Sequence, residues 1–114
     1  MTTPAIQNLS PAVAVCAQLD PSAMAWAAAQ GFKSVINNRP DFEGGPDQPT
    51  DAAIAEAAAQ AGLEYRFLPV AGGYQSPQEI EAFAALLAEL PAPVLAFCRS
   101  GARSTKLFVA AQNL

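Results

Sequence analysis

The stretch Pro93-Val94-Leu95-Ala96-Phe97-Cys98-Arg99-Ser100-Gly101-Ala102-Arg103-Ser104-Thr105 decides how this chain is read. Its first five residues form a short apolar run, the pattern of a strand covered on both faces. The cysteine, arginine, serine and glycine that follow break that run and give a turn. From Ser104 onward, Leu107, Phe108 and Ala111 recur at helical spacing, so the segment predicts strand, tight loop and helix N-terminus in that order. Three of the six Lys and Arg residues, Arg99, Arg103 and Lys106, fall within eight positions of one of only two cysteines. In a chain of net charge −4 that concentration points to an anion held beside Cys98.

Working outward, the same alternation of short apolar runs and alanine-rich segments fills the chain. Val13–Cys16 predicts a strand. Asp20 as cap and Pro21 in the first turn predict a helix to about Gln30, ended by Gly31. Lys33–Asn37 predicts a second strand, and a Pro- and Gly-rich loop, Asn38–Pro49, leads to Thr50 as cap of a helix over Asp51–Gln60. Glu64–Val70 predicts a third strand. Ser76-Pro77-Gln78-Glu79 has the spacing of a capping box and opens a helix to about Leu90 with an apolar stripe of Ile80, Phe83, Leu86, Leu87 and Leu90. Strands separated by helices indicate an α/β fold with a mostly parallel sheet flanked by helices, in which ligands bind beyond the carboxyl ends of the strands. Cys98 occupies such an end.

Composition removes several classes of function. At 114 residues the expectation is a single domain over residues 1–114. No apolar stretch is long enough to span a bilayer although 52% of residues are hydrophobic, and Met1-Thr2-Thr3-Pro4 lacks the basic start and greasy segment of a leader, so a cytoplasmic protein with no membrane partner is expected. The acidic balance argues against a nucleic-acid partner. There is no histidine, which removes Cys-His and Ser-His-Asp arrangements and histidine-based zinc sites, and no metal cluster or cofactor fingerprint stands out. A cysteine nucleophile must then be activated by a helix N-terminus and nearby arginine. On this reading Cys98 and Arg103 are catalytic. Arg99, Ser100, Gly101, Ala102 and Ser104 form the anion-binding loop, its backbone N–H groups turned inward. Arg39, at the end of the second strand, and Tyr74, in the loop after the third, are candidates for the pocket. Arg39 has a rival reading as an ion pair with Asp41 or Glu43, and Cys16 reads as a core residue rather than a disulfide partner of Cys98.

The order of these features from Val13 to Thr105 resembles the phosphotyrosine-phosphatase-like fold of the dual-specificity type, with a rhodanese-like fold as the alternative. More closely, "VINNRPDFE" and "CRSGARS" are similar to the DUF442 group, also found attached to beta-lactamase-like hydrolases in the Blh proteins. The resemblance implies a cysteine nucleophile in a loop and a partner hydrolase. Phosphatases of that fold place the arginine six residues after the cysteine, whereas Arg103 stands five after Cys98. They also carry an aspartic general acid where this chain has Val70-Ala71-Gly72-Gly73-Tyr74. Rhodaneses use a loop of the form Cys-Arg-x-Gly-x-Arg, which "CRSGAR" matches, and their sulfur leaving groups need no protonating acid. The resulting expectation is a sulfurtransferase passing a sulfane sulfur through a Cys98 persulfide, from thiosulfate or a low-molecular-weight persulfide. The alternatives are a phosphatase acting through a phosphocysteine on a phosphate ester, and a non-catalytic module holding an anion or persulfide for the hydrolase.

Overall fold

The computed structural model describes residues 4–114; Met1-Thr2-Thr3, on which the expectation about a leader rests, lie outside them. The elements are β1 (Ile6–Asn8), β2 (Val13–Cys16), α1 (Ala23–Ala29), β3 (Ser34–Asn37), α2 (Asp51–Gln60), β4 (Glu64–Phe67), α3 (Pro77–Glu89), β5 (Val94–Phe97) and α4 (Ala102–Gln112). They build one five-stranded sheet of order β1-β2-β5-β3-β4. The four strands β2, β5, β3 and β4 are parallel and β1 is antiparallel to β2, so the sheet is mostly parallel as the alternation of strands and helices requires. Among the described residues no helix is long and apolar enough to cross a membrane.

Every residue of β2, β3 and β5 is buried, because helices cover both faces of the sheet. Successive side chains of β5 divide between the faces. Leu95 and Phe97 join Ala14, Cys16, Val35, Met24, Ala27, Ile54 and Ala58 under α1 and α2. Val94 and Ala96 join Val15, Ile36, Val70, Phe83, Leu90 and Leu107 under α3 and α4. Caps fix where two helices start. The Thr50 hydroxyl accepts from the Ala53 N–H at 3.2 Å at the head of α2. At α3 the full capping box forms: the Glu79 N–H donates to the Ser76 hydroxyl at 3.1 Å and the Ser76 N–H to the Glu79 carboxylate at 2.8 Å.

The structure corrects the expected boundaries in four places. α1 starts at Ala23, with Pro21 in the preceding turn, where its carbonyl accepts from the Met24 N–H at 3.1 Å. β4 ends at Phe67. Beyond it Leu68 and Val70 still donate to the carbonyls of Asn37 and Asn38, but Pro69 between them has no N–H to continue the ladder. α4 starts at Ala102 rather than Ser104, which places Arg103 in its first turn. β1 was not expected from the sequence. Its three residues pair Ile6 with Cys16 and Asn8 with Ala14 and close one edge of the sheet.

Two substitutions separate these contributions. Phe83→Ala, at a fully buried position, is expected to lower unfolding stability by about 3–5 kcal/mol, and Ser76→Ala, which dismantles the capping box, by about 1 kcal/mol. Urea denaturation measures both, and equal losses would contradict this division of the energetics.

Candidate active site

β5 is the central strand and lies between β2 and β3, although β3 follows β2 in the chain. That interleaving is a topological switch point, where an open parallel sheet leaves a crevice at its carboxyl edge. Cys98 is the first residue past β5 and is only 1% exposed. Its sulfur accepts the Gly101 N–H at 3.1 Å. Gly101 has φ +94° and caps α4 without a side chain. A Cβ there would lie 3.3 Å from the Cys16 carbonyl oxygen, so the turn that aims this N–H at the sulfur calls for glycine on both counts. The first turn of α4 holds no acidic residue to compete for its free N–H groups.

The environment favours a thiolate. Burial pushes the Cys98 thiol up, but the backbone N–H groups of Ser104, Ser100 and Gly101 and the Ser104 hydroxyl outweigh it and leave the thiol below its ordinary value of 9.0. The Ser104 hydroxyl has one proton and also lies 2.9 Å from Asn38 Oδ1 as a donor, so the backbone N–H groups are the constant partners of the sulfur. Asn38 is itself oriented by donating from Nδ2 to the Leu68 carbonyl at 3.0 Å. Cys16, beneath the loop, is the opposite case. Burial and the neighbouring Cys98 push it up to about 12, so it remains a thiol at neutral pH, and both cysteines are unbridged.

Arg103 is held by the loop that follows β3. Glu43 takes its end-on fork, with Nη1 2.9 Å from Oε2 and Nη2 3.0 Å from Oε1, and Nη1 also donates to the Val70 carbonyl at 2.9 Å. Those bonds use both protons of Nη1 and one of Nη2. The Nε–H and the second Nη2–H form the guanidinium's other edge and remain for two oxygens of a ligand. Arg39 also donates to Glu43, from Nε to Oε1 at 3.1 Å, and from Nη1 to Gln18 Oε1 at 3.2 Å. A Cβ on Gly44 would come within 2.5 Å of Arg39 Nη2, so the close approach of chain and guanidinium depends on that glycine. Gln48 braces the same loop through the Pro40 carbonyl and the Gly44 N–H. Bonds from Arg103 above all, then Arg39, keep Glu43 below the ordinary carboxylate range despite partial burial, so it stays ionised near neutrality.

The structure therefore gathers Cys98, Arg99, Ser100, Gly101, Ala102, Arg103 and Ser104 into one loop and helix start. A cleft of about 220 Å³ opens beside it, lined by Gly72, Gly73, Gln75, Arg99, Ser100, Ala102, Arg103 and Lys106. Arg39 reaches the site through Glu43, the ion pair its rival reading named. Tyr74 is 71% exposed and outside the cleft lining, because its neighbours Gly73 and Gln75 turn inward in its place. The sequence reading missed Asn38, Gln75 and the hold of Glu43 on Arg103. The polar "NNRPDFE" run after a buried strand was the available signal for Asn38 and Glu43.

The mostly parallel sheet with a cysteine loop at the end of its central strand is a phosphatase-like fold. The chain belongs to the family described as beta-lactamase hydrolase-like protein, phosphatase-like domain, which matches residues 5–114. It is 44% identical over 87 residues to the beta-lactamase hydrolase-like protein of Agrobacterium fabrum, covering 76% of this chain and 20% of that protein. The chain thus spans about a fifth of the length of the curated relatives it matches. A candidate phosphatase from Neisseria meningitidis superposes with a TM-score of 0.83 at 32% identity, covering 94% of this chain and 78% of that one. TpbA of P. aeruginosa, solved in complex with pTyr, shares the fold at TM-score 0.64 and 22% identity, covering 92% of this chain and 59% of that one. None of these three is described as a sulfurtransferase. The expectation drawn from the rhodanese-like loop spacing finds no support in them, and the phosphatase alternative fits better.

Thiolate ultraviolet absorbance as a function of pH tests the electrostatics without requiring access to the buried sulfur. A single thiol is expected to ionise with a midpoint below 9.0, to disappear in Cys98→Ser and to move upward in Ser104→Ala, while Cys16 ionises only near 12. A first midpoint at or above 9.0 would contradict the assignment.

Proposed function

We propose that the protein is a cysteine-dependent phosphatase in which Cys98 attacks a phosphate monoester. The observation that carries this reading is the buried Cys98 sulfur, accepting backbone N–H groups at the start of α4 beside an arginine that Glu43 holds by its end-on fork. In the first step the thiolate forms a bond to phosphorus and the bond to the ester oxygen breaks, leaving phosphocysteine. Water then attacks phosphorus, the P–S bond breaks with its electrons returning to sulfur, and inorganic phosphate departs. The loop N–H groups and the open edge of Arg103 supply fixed donors to the oxygens that carry charge in both steps, and the site has little reorganisation left to do as that charge develops. Phosphatase folds among the structural relatives, one of them solved with pTyr, support this class of substrate.

The chemistry of the leaving group follows from Glu43. The carboxylate bonded to Arg103 is ionised and has no proton to donate. Where related phosphatases place an acid, this chain has Val70-Ala71-Gly72-Gly73-Tyr74. Substrates whose leaving oxygen is stable as an anion, aryl esters above alkyl esters, are therefore preferred.

Hydrolysis of a series of aryl phosphates, assayed beside thiocyanate formation from thiosulfate and cyanide, tests the proposal. Expected outcomes are phosphate release that is abolished in Cys98→Ser, a rate rising steeply as the leaving phenol becomes more acidic, and a loss of about 10²–10³-fold in kcat/KM for Arg103→Ala. Cys98-dependent thiocyanate formation without phosphate release would overturn phosphoryl transfer in favour of sulfur transfer.

A further inference from the structure

We infer that the cleft beside the Cys98 loop is a second anion subsite, so that the substrate carries another negatively charged group next to its scissile phosphate. This rests on the phosphatase reading above and extends it from reaction type to substrate class.

The distribution of cations carries the argument. Four of the six Lys and Arg residues of this acidic chain, Arg39, Arg99, Arg103 and Lys106, lie at this end of the sheet or beside it. Arg39 and Arg103 are committed to Glu43. Arg99 and Lys106 are exposed, both line the 220 Å³ cleft, and among the described residues neither forms an ion pair. Arg66, at the far edge of the sheet, is by contrast paired with Glu64 and Glu89. Two unpaired cations facing one concavity repel each other unless an anion lies between them.

The cleft itself has a defined wall and volume. Gln75 lines the cleft, and its Nε2 group is buried without a hydrogen-bond partner among the described residues. That nitrogen is shielded from the cleft, so Gln75 forms part of its wall and the charge for a ligand comes from Arg99 and Lys106. The cleft's volume corresponds to about seven waters at liquid density, room enough for a second phosphate or carboxylate group while the first lies against the loop. Arg103 lines the cleft as well and so joins the two positions.

The experiment compares equilibrium binding of phenyl phosphate and benzene-1,3-diyl bisphosphate to the Cys98→Ser protein by calorimetry, so that no turnover is needed. The bisphosphate has two equivalent ends, which alone gives a twofold advantage. An advantage of about fiftyfold is expected, that twofold multiplied by two added cation–anion contacts of about fivefold each at the surface, shrinking as salt is raised. Arg99→Gln combined with Lys106→Gln is expected to return the ratio to about twofold, whereas Lys33→Gln, at the opposite end of β3, leaves it in place. A ratio no greater than twofold, or one that survives the double substitution, overturns the inference. Hydrolysis of phenyl phosphate by the unaltered protein tests the phosphatase reading separately. A protein that binds the bisphosphate preferentially but hydrolyses neither ester would retain the subsite and lose the reaction.

Discussion

A cysteine sulfur that is almost completely buried can ionise readily only if donors surround it, and the carboxyl edge of this sheet is organised around that requirement. Removing a thiolate from water raises its energy. The compensation comes from backbone N–H groups that the first turn of a helix leaves unsatisfied in any case. Such donors can converge on one atom only if the chain turns abruptly between strand and helix. That turn fixes Gly101 in a left-handed conformation packed against the Cys16 carbonyl, and it starts α4 as early as Ala102. The early start in turn carries Arg103 on the helix rather than on the loop. The shorter cysteine-to-arginine spacing and the geometry of the anion cradle are two views of one backbone conformation.

The arginine needed a second constraint. A guanidinium on an exposed helix turn samples many rotamers, and freezing it on ligand binding would weaken affinity. Glu43 removes that freedom beforehand, and the loop bearing Glu43 is itself braced by Arg39, Gln48 and the close passage of Gly44. Asn38 extends the same logic to the other side of the sulfur: its amide is anchored on β4's exit and its oxygen faces Ser104. The loop after β3 is thus the scaffold of a loop that lies sixty residues later in the chain.

Much of this was legible in the residues, and the parts that were not have physical reasons. Continuous apolar runs such as Val13–Cys16 and Val94–Phe97 announce strands buried on both faces, and the Ser76/Glu79 spacing places the start of α3 because a reciprocal cap leaves little choice. The three-residue β1 carries too little pattern to be seen, since Ile6, Gln7 and Asn8 have only one partly buried member. At the site, the loop residues are contiguous and could be read together. Glu43 and Asn38 act from sixty and sixty-six positions away, and only the sheet order brings them beside Arg103 and Ser104. Spacing suggested sulfur transfer because it reports the length of the loop and not the company it keeps. The fold's relatives point instead to phosphoryl transfer.

The position of β5 also governs when the site comes into being. β1 pairs with β2 and β3 with β4, but no strand pairing joins these two halves until β5 is inserted between β2 and β3. A nascent chain that has emerged only as far as α3 therefore has two strand pairs with no central strand between them and lacks Cys98. The segment that completes the sheet is the one that delivers Cys98, so assembly and arming are a single event. A half-made or clipped molecule lacking the C-terminal segment keeps only Cys16, without the loop N–H groups that favour a thiolate at Cys98.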